Sequence, residues 1–265
     1  MRRWFWPNLR RVLRIPVLLL HVAVGVLVIL ACVGIDRLLR RPLHRGLGRR
    51  AQRVWCHSIC WLLGVRIRQT GEPIAPPPVL LASNHISWLD ILVISADHRV
   101  SFLSKEEVRR WPGIGFVATC LGTLYVQRGN PRAAPQVVAD MTERLRYPDR
   151  VVFFPEGTTT RGTGLLPLKH RLFQAAIDAG APVQPLLLRY LNADGSVNAR
   201  APFVDKQNLI VQVIRLAGES GVEARIIGGA PLSSDGLDRA ALRNAVERRM
   251  RDMLLSQNRH EVAIK

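Results

Sequence analysis

"VLLASNHISWLD", residues 79–90, joins an apolar run to a short polar turn and then to the start of a helical pattern. Residues 79–83 are apolar or small, which is typical of a strand buried on both faces, and residues 88–96 indicate a helix. Asn84, His85 and Asp90 lie at this junction. Any strand-to-helix turn uses such side chains for local hydrogen bonds, so their role depends on the rest of the chain.

The chain beyond this stretch alternates between strand and helix patterns. We predict further strands at residues 100–104, 123–128, 151–155, 182–190, 209–216 and 224–228. We predict further helices at residues 105–111, from Asn130 and Pro131 to about Arg146, at residues 171–180, and at the C-terminal end, where Leu242, Val246, Met250 and Met253 share one side. This alternation predicts an α/β fold with a mostly parallel mixed sheet flanked by helices.

Positive charge is concentrated at the N-terminal end. The 265-residue chain has a formal net charge of +18, yet residues 1–53 contain 12 Arg and no Lys against the single acid Asp36. Such a balance suits an anionic membrane surface, acidic small molecules or nucleic acid. The charge alone therefore does not select a partner.

Between these arginines lies a 21-residue apolar segment, Ile15 to Ile35, with His21 as its only ionisable residue. It is long enough to cross a bilayer as a helix, and the basic stretch that follows it argues against a cleaved signal peptide. A second, Trp-rich apolar patch at Val54 to Val65 is too short to span. We expect the two to form a hairpin in one leaflet, slightly ahead of a single true span.

A helix-breaking stretch, "GEPIAPPP" at residues 71–78, opens the region of alternating strands. We therefore predict two parts, a basic membrane-associating helical segment at residues 1–66 and an α/β domain at residues 67–265. The four cysteines show neither a zinc pattern nor a disulfide framework, and we expect free thiols, no metal site and a reducing compartment. The expected location is the inner cell membrane, with the domain facing the cytoplasm.

His85 falls just past the carboxyl end of a predicted strand, where open α/β sheets place their chemistry. Ser87 is predicted to be the N-cap of the next helix, which puts Asp90 at the third helical position. The Asp90 carboxylate could then hold one imidazole nitrogen of His85 and leave the other free as a general base. Ser87 as a hydrolase nucleophile is the alternative, but the chain has no G-x-S-x-G stretch, and capping is favoured.

A second polar loop, "FFPEGTTTRG" at residues 153–162, also follows a predicted strand directly. Pro155 and Gly157 bracket Glu156, and Thr158 to Arg161 offer hydroxyls and a guanidinium to an anionic group. A polar β-turn with Glu156 as a surface acid is the plainer interpretation. Two such loops in one domain weaken it.

Together these stretches resemble the glycerolipid acyltransferase family, whose bacterial members include 1-acyl-sn-glycerol-3-phosphate (lysophosphatidate) acyltransferases. "NHISWLD" is similar to the family's N-H-x-x-x-x-D motif, and "FPEGT" is similar to its third motif. The resemblance covers roughly residues 70–190, with the motifs in family order. The second and fourth motif regions match at Lys105, Glu106, Pro112, Gly115, Gly122, Arg128 and Pro185.

The resemblance implies a direct acyl transfer. His85 would act as general base and Asp90 as its orienting partner, with Glu156 and Gly157 in the acceptor pocket and Arg128 as a phosphate contact. Lys105 is a weaker candidate for anion binding or for stabilising the oxyanion. The donor would be a thioester of coenzyme A or acyl carrier protein, with no cofactor, metal or covalent acyl-enzyme, and the other partners would be membrane lipids.

Two departures from the family pattern affect the headgroup. Thr159 stands where arginine often follows E-G-T, and His170 and Arg171 stand where many phosphatidate-forming members have lysine and glycine. Relatives that acylate lyso-ornithine lipid resemble this version, so lysophosphatidate is placed first and lyso-ornithine lipid second. A non-enzymatic basic protein that binds membranes or nucleic acid would explain the charge but not the two loops, and we expect no nucleic-acid partner.

Overall fold

The computed structural model describes residues 2–42, 45–127, 131–204 and 207–263. It contains eight α-helices and seven strands over these ranges. In chain order they are α1 (Arg2–Leu38), α2 (Leu47–Leu62), β1 (Val65–Gly71), β2 (Val79–Ser83), α3 (Leu89–Asp97), β3 (Ser101–Lys105), α4 (Ile114–Cys120), β4 (Leu124–Val126), α5 (Ala134–Leu145), β5 (Arg150–Phe153), α6 (Gln174–Ala179), β6 (Val183–Leu191), α7 (Leu209–Ala217), β7 (Val222–Gly228) and α8 (Arg239–Ala263). Short 3₁₀ turns occupy Glu106–Arg110, Pro131–Ala133 and Arg171–Phe173.

The strands form one mixed sheet in the order β1-β7-β6-β2-β5-β3-β4. All neighbours are parallel except β6 and β7, which run antiparallel. Strands β2 and β5 are paired with Ala82 opposite Phe153. The two motif loops therefore leave adjacent strands at the same edge of the sheet, as the predicted fold requires.

Helices cover both faces of the sheet, and the alternation along β2 shows how. Val79 and Leu81 pack with α2, α3 and α7 on one face, whereas Leu80 and Ala82 pack with α5, α6 and α8 on the other. Because successive strand residues point to opposite faces, a strand buried on both sides must be apolar throughout. Each of the five residues of β2 is buried.

Three elements differ from the sequence prediction, and one of them is helix α4 (Ile114–Cys120), where no element was predicted. Residues 209–216, predicted as a strand from their β-branched apolar run, form helix α7 instead. Strand β1 was not predicted, and it pairs only with β7 at the edge of the sheet. The boundary predicted between residues 66 and 67 falls inside β1. Asn130, at the predicted start of a helix, lies outside the described residues.

The basic N-terminal segment is fixed to the domain through a buried arginine. Arg49 on α2 donates to Ser101 Oγ at 2.6 Å and lies 3.4 Å from the Asp149 carboxylate, and it also donates to the Val100 carbonyl. Burial lowers the pKa of Arg49, and Asp149 partly offsets this shift. This arginine therefore holds α2 against the sheet and does not face lipid.

Candidate active site

The turn after β2 is held by the side chain of Asn84. Its Oδ1 accepts the Leu188 amide at 2.6 Å, and its Nδ2 donates to the Leu188 carbonyl at 3.1 Å. These bonds continue the pairing of β2 with β6 one residue beyond Ser83. The residue that follows, His85, is thereby placed at a fixed point on the sheet edge.

Asp90 is fully buried and accepts four hydrogen bonds. Its Oδ2 lies 2.7 Å from His85 Nδ1 and also accepts the amides of Ile86 at 2.7 Å and Ser87 at 3.0 Å. Its Oδ1 accepts the Tyr190 hydroxyl at 2.7 Å. Backbone and side-chain donors thus hold the carboxylate before any substrate arrives.

The predicted role of Ser87 as an N-cap is wrong. Helix α3 begins at Leu89 with Trp88 as its N-cap, and within the described residues no side chain caps it and the buried Ser87 hydroxyl has no hydrogen-bond partner. Asp90 instead accepts the amides that precede the helix. Its carboxylate satisfies these donors from inside the first turn, where the helix dipole also favours negative charge.

The contact with Asp90 sets the chemistry of the imidazole. A carboxylate accepts hydrogen bonds, so when the His85 imidazole is neutral, Nδ1 is the nitrogen that carries the proton and Nε2 has the lone pair. The His85 side chain is 14% exposed, and its ring stacks on Phe154 with centroids 3.9 Å apart. This geometry presents Nε2 as a base that can take a proton from a bound hydroxyl.

Tyr190 was missed by the sequence analysis. It lies within β6, whose nine residues are all buried, and a tyrosine in such a strand needs a partner for its hydroxyl. Burial raises the pKa of Tyr190 well above its usual value, and Asp90 raises it further. The hydroxyl therefore stays protonated at neutral pH and donates to Asp90.

Glu156 joins the two motif loops from a buried position. Its Oε1 accepts the His85 amide at 3.0 Å and its Oε2 accepts the Leu166 amide at 2.9 Å, with only 3% of the residue exposed. Burial raises the pKa of Glu156, and the two amide bonds partly offset this. The plainer interpretation of a surface acid is wrong. The predicted contact with acceptor stays a prediction, because the observed contacts fix the backbone of His85.

The same loop also reaches His85 through Thr160. The Thr160 amide donates to the His85 carbonyl at 2.8 Å. The backbone of His85 is thus held at both its N–H and its C=O by the loop after β5. Residues 153–162 therefore position the candidate base as well as flanking it.

The other predicted binding residues are spread along the sheet edge. Lys105 is exposed at the end of β3, and Thr158 and Arg161 are exposed in the loop after β5. Arg128, the predicted phosphate contact, lies outside the described residues. Gly157 has φ 73°, and a methyl group there would collide with the Lys169 ammonium. The motif glycine thus leaves room for a lysine that the sequence analysis did not select.

A cavity of about 540 Å³ opens beside this lysine. Phe154 lines it and stacks on His85, although His85 itself is not part of the lining. Most of the lining is apolar, and the basic residues Lys169, His170 and Arg171, of which Lys169 and Arg171 are exposed, form its rim. The full lining is Leu103, Val126, Gln127, Ala134, Phe153, Phe154, Pro155, Gly157, Pro167, Leu168, Lys169, His170, Arg171 and Leu172. An amphiphile with an acidic group matches this division of apolar and basic surface.

Comparison with known proteins agrees with this geometry. A family model described as Acyltransferase matches residues 66–189. A lyso-ornithine lipid O-acyltransferase of Pseudomonas aeruginosa is 39% identical over 210 residues, 77% of this chain and 78% of the relative. A 1-acyl-sn-glycerol-3-phosphate acyltransferase of Neisseria gonorrhoeae is 42% identical over 139 residues, 52% of this chain and 54% of the relative.

The fold has a counterpart among solved structures. The crystal structure of a 1-acyl-sn-glycerophosphate acyltransferase from Thermotoga maritima superposes with a TM-score of 0.67, over 95% of this chain and 98% of that one, at 18% identity. The predicted fold and resemblance are thereby confirmed. The chain belongs to the glycerolipid acyltransferase family and is an acyltransferase.

Proposed function

We propose that His85 is the general base of an acyl transfer to the free hydroxyl of a membrane lyso-lipid. Nε2 of His85 removes the hydroxyl proton while the oxygen attacks the carbonyl carbon of an acyl thioester. The new C–O bond replaces the C–S bond, and the proton on His85 passes to the departing thiolate. The observation that carries this proposal is the 2.7 Å contact between His85 and the immobilised Asp90.

The thioester donor is proposed to be acyl-CoA or acyl carrier protein. Both present phosphate or carboxylate groups, and the positive field of the chain would attract either one. The exposed Lys105 and Arg161 flank the sheet edge where such a donor would arrive. The tetrahedral oxyanion would also form there, within reach of positive charge.

Lysophosphatidate is our first choice of acceptor, because of the charge around the cavity. Lys169, His170 and Arg171 line its rim, and within the described chain no carboxylate lies at ion-pair distance from the Lys169 ammonium. A phosphate dianion would neutralise such a site more fully than a single carboxylate. The product would be phosphatidate.

Lyso-ornithine lipid is the second candidate, and a different observation favours it. Several relatives that match more than two thirds of the chain are lyso-ornithine lipid O-acyltransferases, including one from Brucella abortus that is 34% identical over 227 residues. The ornithine carboxylate could occupy the same basic rim. Thr159 stands where family members often have arginine, and the loss of that positive charge suits a headgroup that carries its own ammonium.

We propose that α1 and α2 form a hairpin in one leaflet of the inner cell membrane, on its cytoplasmic face. Trp6–Leu38 is the one described helix long and apolar enough to cross a membrane. Near its start, Arg14 donates to the Glu219 carbonyl at 2.8 Å. Near its end, Asp36 accepts the amides of Leu47 and Gly48 at 2.8 Å. A crossing helix would carry one of these ends away from the domain, so this geometry favours the leaflet hairpin.

An acceptor screen tests the proposed function. Membranes containing the full-length protein receive radiolabelled acyl thioester with lysophosphatidate, with lyso-ornithine lipid, or with neither. We expect labelled phosphatidate and no labelled product with a His85→Ala chain. Labelling of lyso-ornithine lipid alone would select the second candidate, and labelling of neither acceptor would contradict the proposal.

Lys169→Ala tests the headgroup site within the same assay. We expect KM for lysophosphatidate to rise about tenfold with kcat nearly unchanged, as for the loss of one charge-assisted contact. Arg68→Ala is the matched control, because Arg68 is an exposed cation on β1, at the far edge of the sheet, and does not line the cavity. Equal KM for both variants would remove Lys169 from acceptor binding.

A further inference from the structure

Helix α7 packs Leu216 and Ala217 against the core, yet it also exposes three aliphatic residues and buries a polar one. Ile210 is 69% exposed and Val211 53%, with Ile214 also exposed, whereas Gln212 is buried. A helix on the surface of a soluble domain shows the opposite arrangement. The exposed face of α7 is therefore suited to an apolar environment.

Specific bonds fix this orientation. Gln212 Nε2 donates to the carbonyls of Arg200, Ala201 and Pro202, at 2.6, 3.3 and 3.2 Å. Asn208 caps the helix by accepting the amides of Ile210 and Val211. Rotating α7 to bury its isoleucines would break these bonds and leave the Gln212 amide without partners. The outward apolar face is thus built into the fold.

Helix α7 is also joined to the start of the apolar helix α1. Arg11 Nε donates to the Ile214 carbonyl at 3.2 Å, and Arg14 donates to the Ala217 carbonyl at 3.2 Å. The same part of α1 exposes Val12, Leu13 and Val17. Two neighbouring helices therefore present aliphatic side chains to the outside, with arginines between them.

The segment that leads into α7 contacts the catalytic loop. The Phe203 amide donates to the carbonyl of Ile86 at 2.9 Å, and Ile86 follows His85 directly. The carbonyls held by Gln212 belong to this same segment, at residues 200–202. Whatever surface α7 binds is accordingly brought close to the candidate base.

We propose that α7 is a second membrane-contact element, which inserts Ile210, Val211 and Ile214 into the leaflet that α1 occupies. Continuity with α1 and the flanking Arg10, Arg11 and Arg215 select an anionic lipid surface as the occupant. This inference rests on the proposed position of α1 in the membrane. It adds that the entrance to the His85 loop lies at the lipid surface, so that an acceptor enters without leaving the bilayer.

A depth measurement on the full-length chain tests the contact without using activity. Cys32 and Cys120 are changed to Ala, since Cys56 and Cys60 are buried, and an environment-sensitive fluorophore is attached to Val211→Cys or to the control Leu255→Cys. Leu255 is as exposed as Val211 but lies on α8, across the sheet. With vesicles of phosphatidylglycerol and phosphatidylethanolamine, nitroxides on the acyl chains should quench position 211 about threefold more than position 255. Equal quenching would overturn the proposal, whatever reaction the protein catalyses.

A kinetic measurement tests the purpose of the contact. A chain with Ile210→Gln, Val211→Gln and Ile214→Gln should lose about tenfold in kcat/KM on vesicle-borne acceptor and keep its rate on a short-chain soluble acceptor. Tyr147→Gln, Leu237→Gln and Leu255→Gln, a matched set of exposed apolar residues elsewhere, should leave both rates unchanged. An unchanged vesicle rate in the α7 variant, or an equal loss on both acceptors, would overturn the proposal.

Discussion

The loops after β2 and β5 leave neighbouring parallel strands, yet their acidic and basic side chains are held very differently. His85 has one ring nitrogen bonded and the other without a partner among the described residues, whereas both carboxylate oxygens of Glu156 accept backbone amides. From the sequence, both residues were polar groups at a strand end. A side chain at this edge can react through an atom that makes no other bond to the protein. A neighbouring side chain whose polar atoms are all bonded can instead hold the backbone in place.

Under the proposed function, this contrast divides the site into a reacting part and a supporting part. The proposed reacting part is the imidazole of His85 with Asp90, which is itself held by Tyr190 and two amides. The supporting part is the Glu156 loop, which holds the amide and carbonyl of His85. Substitutions in the first part should mainly reduce turnover, whereas those in the second should first reduce stability.

The largest effect is expected from His85→Ala. Removing a general base of this kind should lower kcat about 10³-fold, within the range found for acid–base catalysis, with the fold retained. The measurement is single-turnover acyl transfer, with circular dichroism to verify folding. His98→Ala is the matched control, because His98 pairs with the adjacent Asp97 and lies outside the site. Near-normal turnover in His85→Ala would show that His85 is not the general base and that the division into a reacting and a supporting part is wrong.

Glu156→Gln should separate support from chemistry. An amide cannot accept from both the His85 and the Leu166 backbone N–H groups, so we expect a loss of about 1–3 kcal/mol in the free energy of unfolding. We expect turnover to fall less than in His85→Ala. Urea unfolding and kcat/KM together check this. A fall in turnover as large as that of His85→Ala, at unchanged stability, would place Glu156 in the reacting part.

The burial of Glu156 should make the stability of the wild-type protein depend on pH. Because burial raises the pKa of this carboxyl group, the folded protein binds its proton more tightly than the unfolded chain does. The contribution to stability is then full below the unfolded value of about 4.3 and is lost as pH rises through the folded pKa. Wild type should show this decline in urea unfolding across a pH series, and Glu156→Gln should lack it.

Tyr190→Phe should have a smaller effect within the reacting part. It removes one of four donors to Asp90 and leaves the aromatic ring in place, so we expect kcat to fall about tenfold, equivalent to one hydrogen bond to a charged group. The control is Tyr125→Phe, whose hydroxyl bonds Thr119 and the Gly115 carbonyl away from Asp90. Equal kcat in the two variants would remove Tyr190 from the support of Asp90.

The sequence predicted the sheet core and the contact between His85 and Asp90, because local patterns determine both. Strand β2 is apolar or small at each position, and Asp90 lies five residues after His85, across the short turn that leads into α3. Tyr190 reaches Asp90 from β6, and Lys169 reaches Gly157 from the segment before α6, so these contacts exist only in the folded chain. No local pattern near either residue marks that contact.

The errors in secondary structure at β1 and α7 have different physical reasons. Strand β1 alternates Arg66 and Arg68 with apolar residues and pairs on one side only, so it lacks the apolar run of a central strand. Helix α7 contains β-branched residues that are typical of a strand. Ile210, Val211 and Ile214 face outward, and the polar Gln212 points inward. Sequence patterns assume water outside the fold, and α7 does not follow that assumption.

The smallest effect is expected from Ser87→Ala, because the Ser87 side chain belongs to neither the reacting part nor the supporting part of the site. In the described part of the chain the Ser87 hydroxyl is buried and has no hydrogen-bond partner, whereas the backbone amide of Ser87 bonds to Asp90. Replacing the hydroxyl by hydrogen should therefore change the free energy of unfolding by less than about 0.5 kcal/mol and leave kcat unchanged. A lost N-cap would instead cost about 1 kcal/mol. An inactive variant that a serine-directed acylating probe no longer labels would make Ser87 a nucleophile and replace direct transfer by a covalent acyl-enzyme.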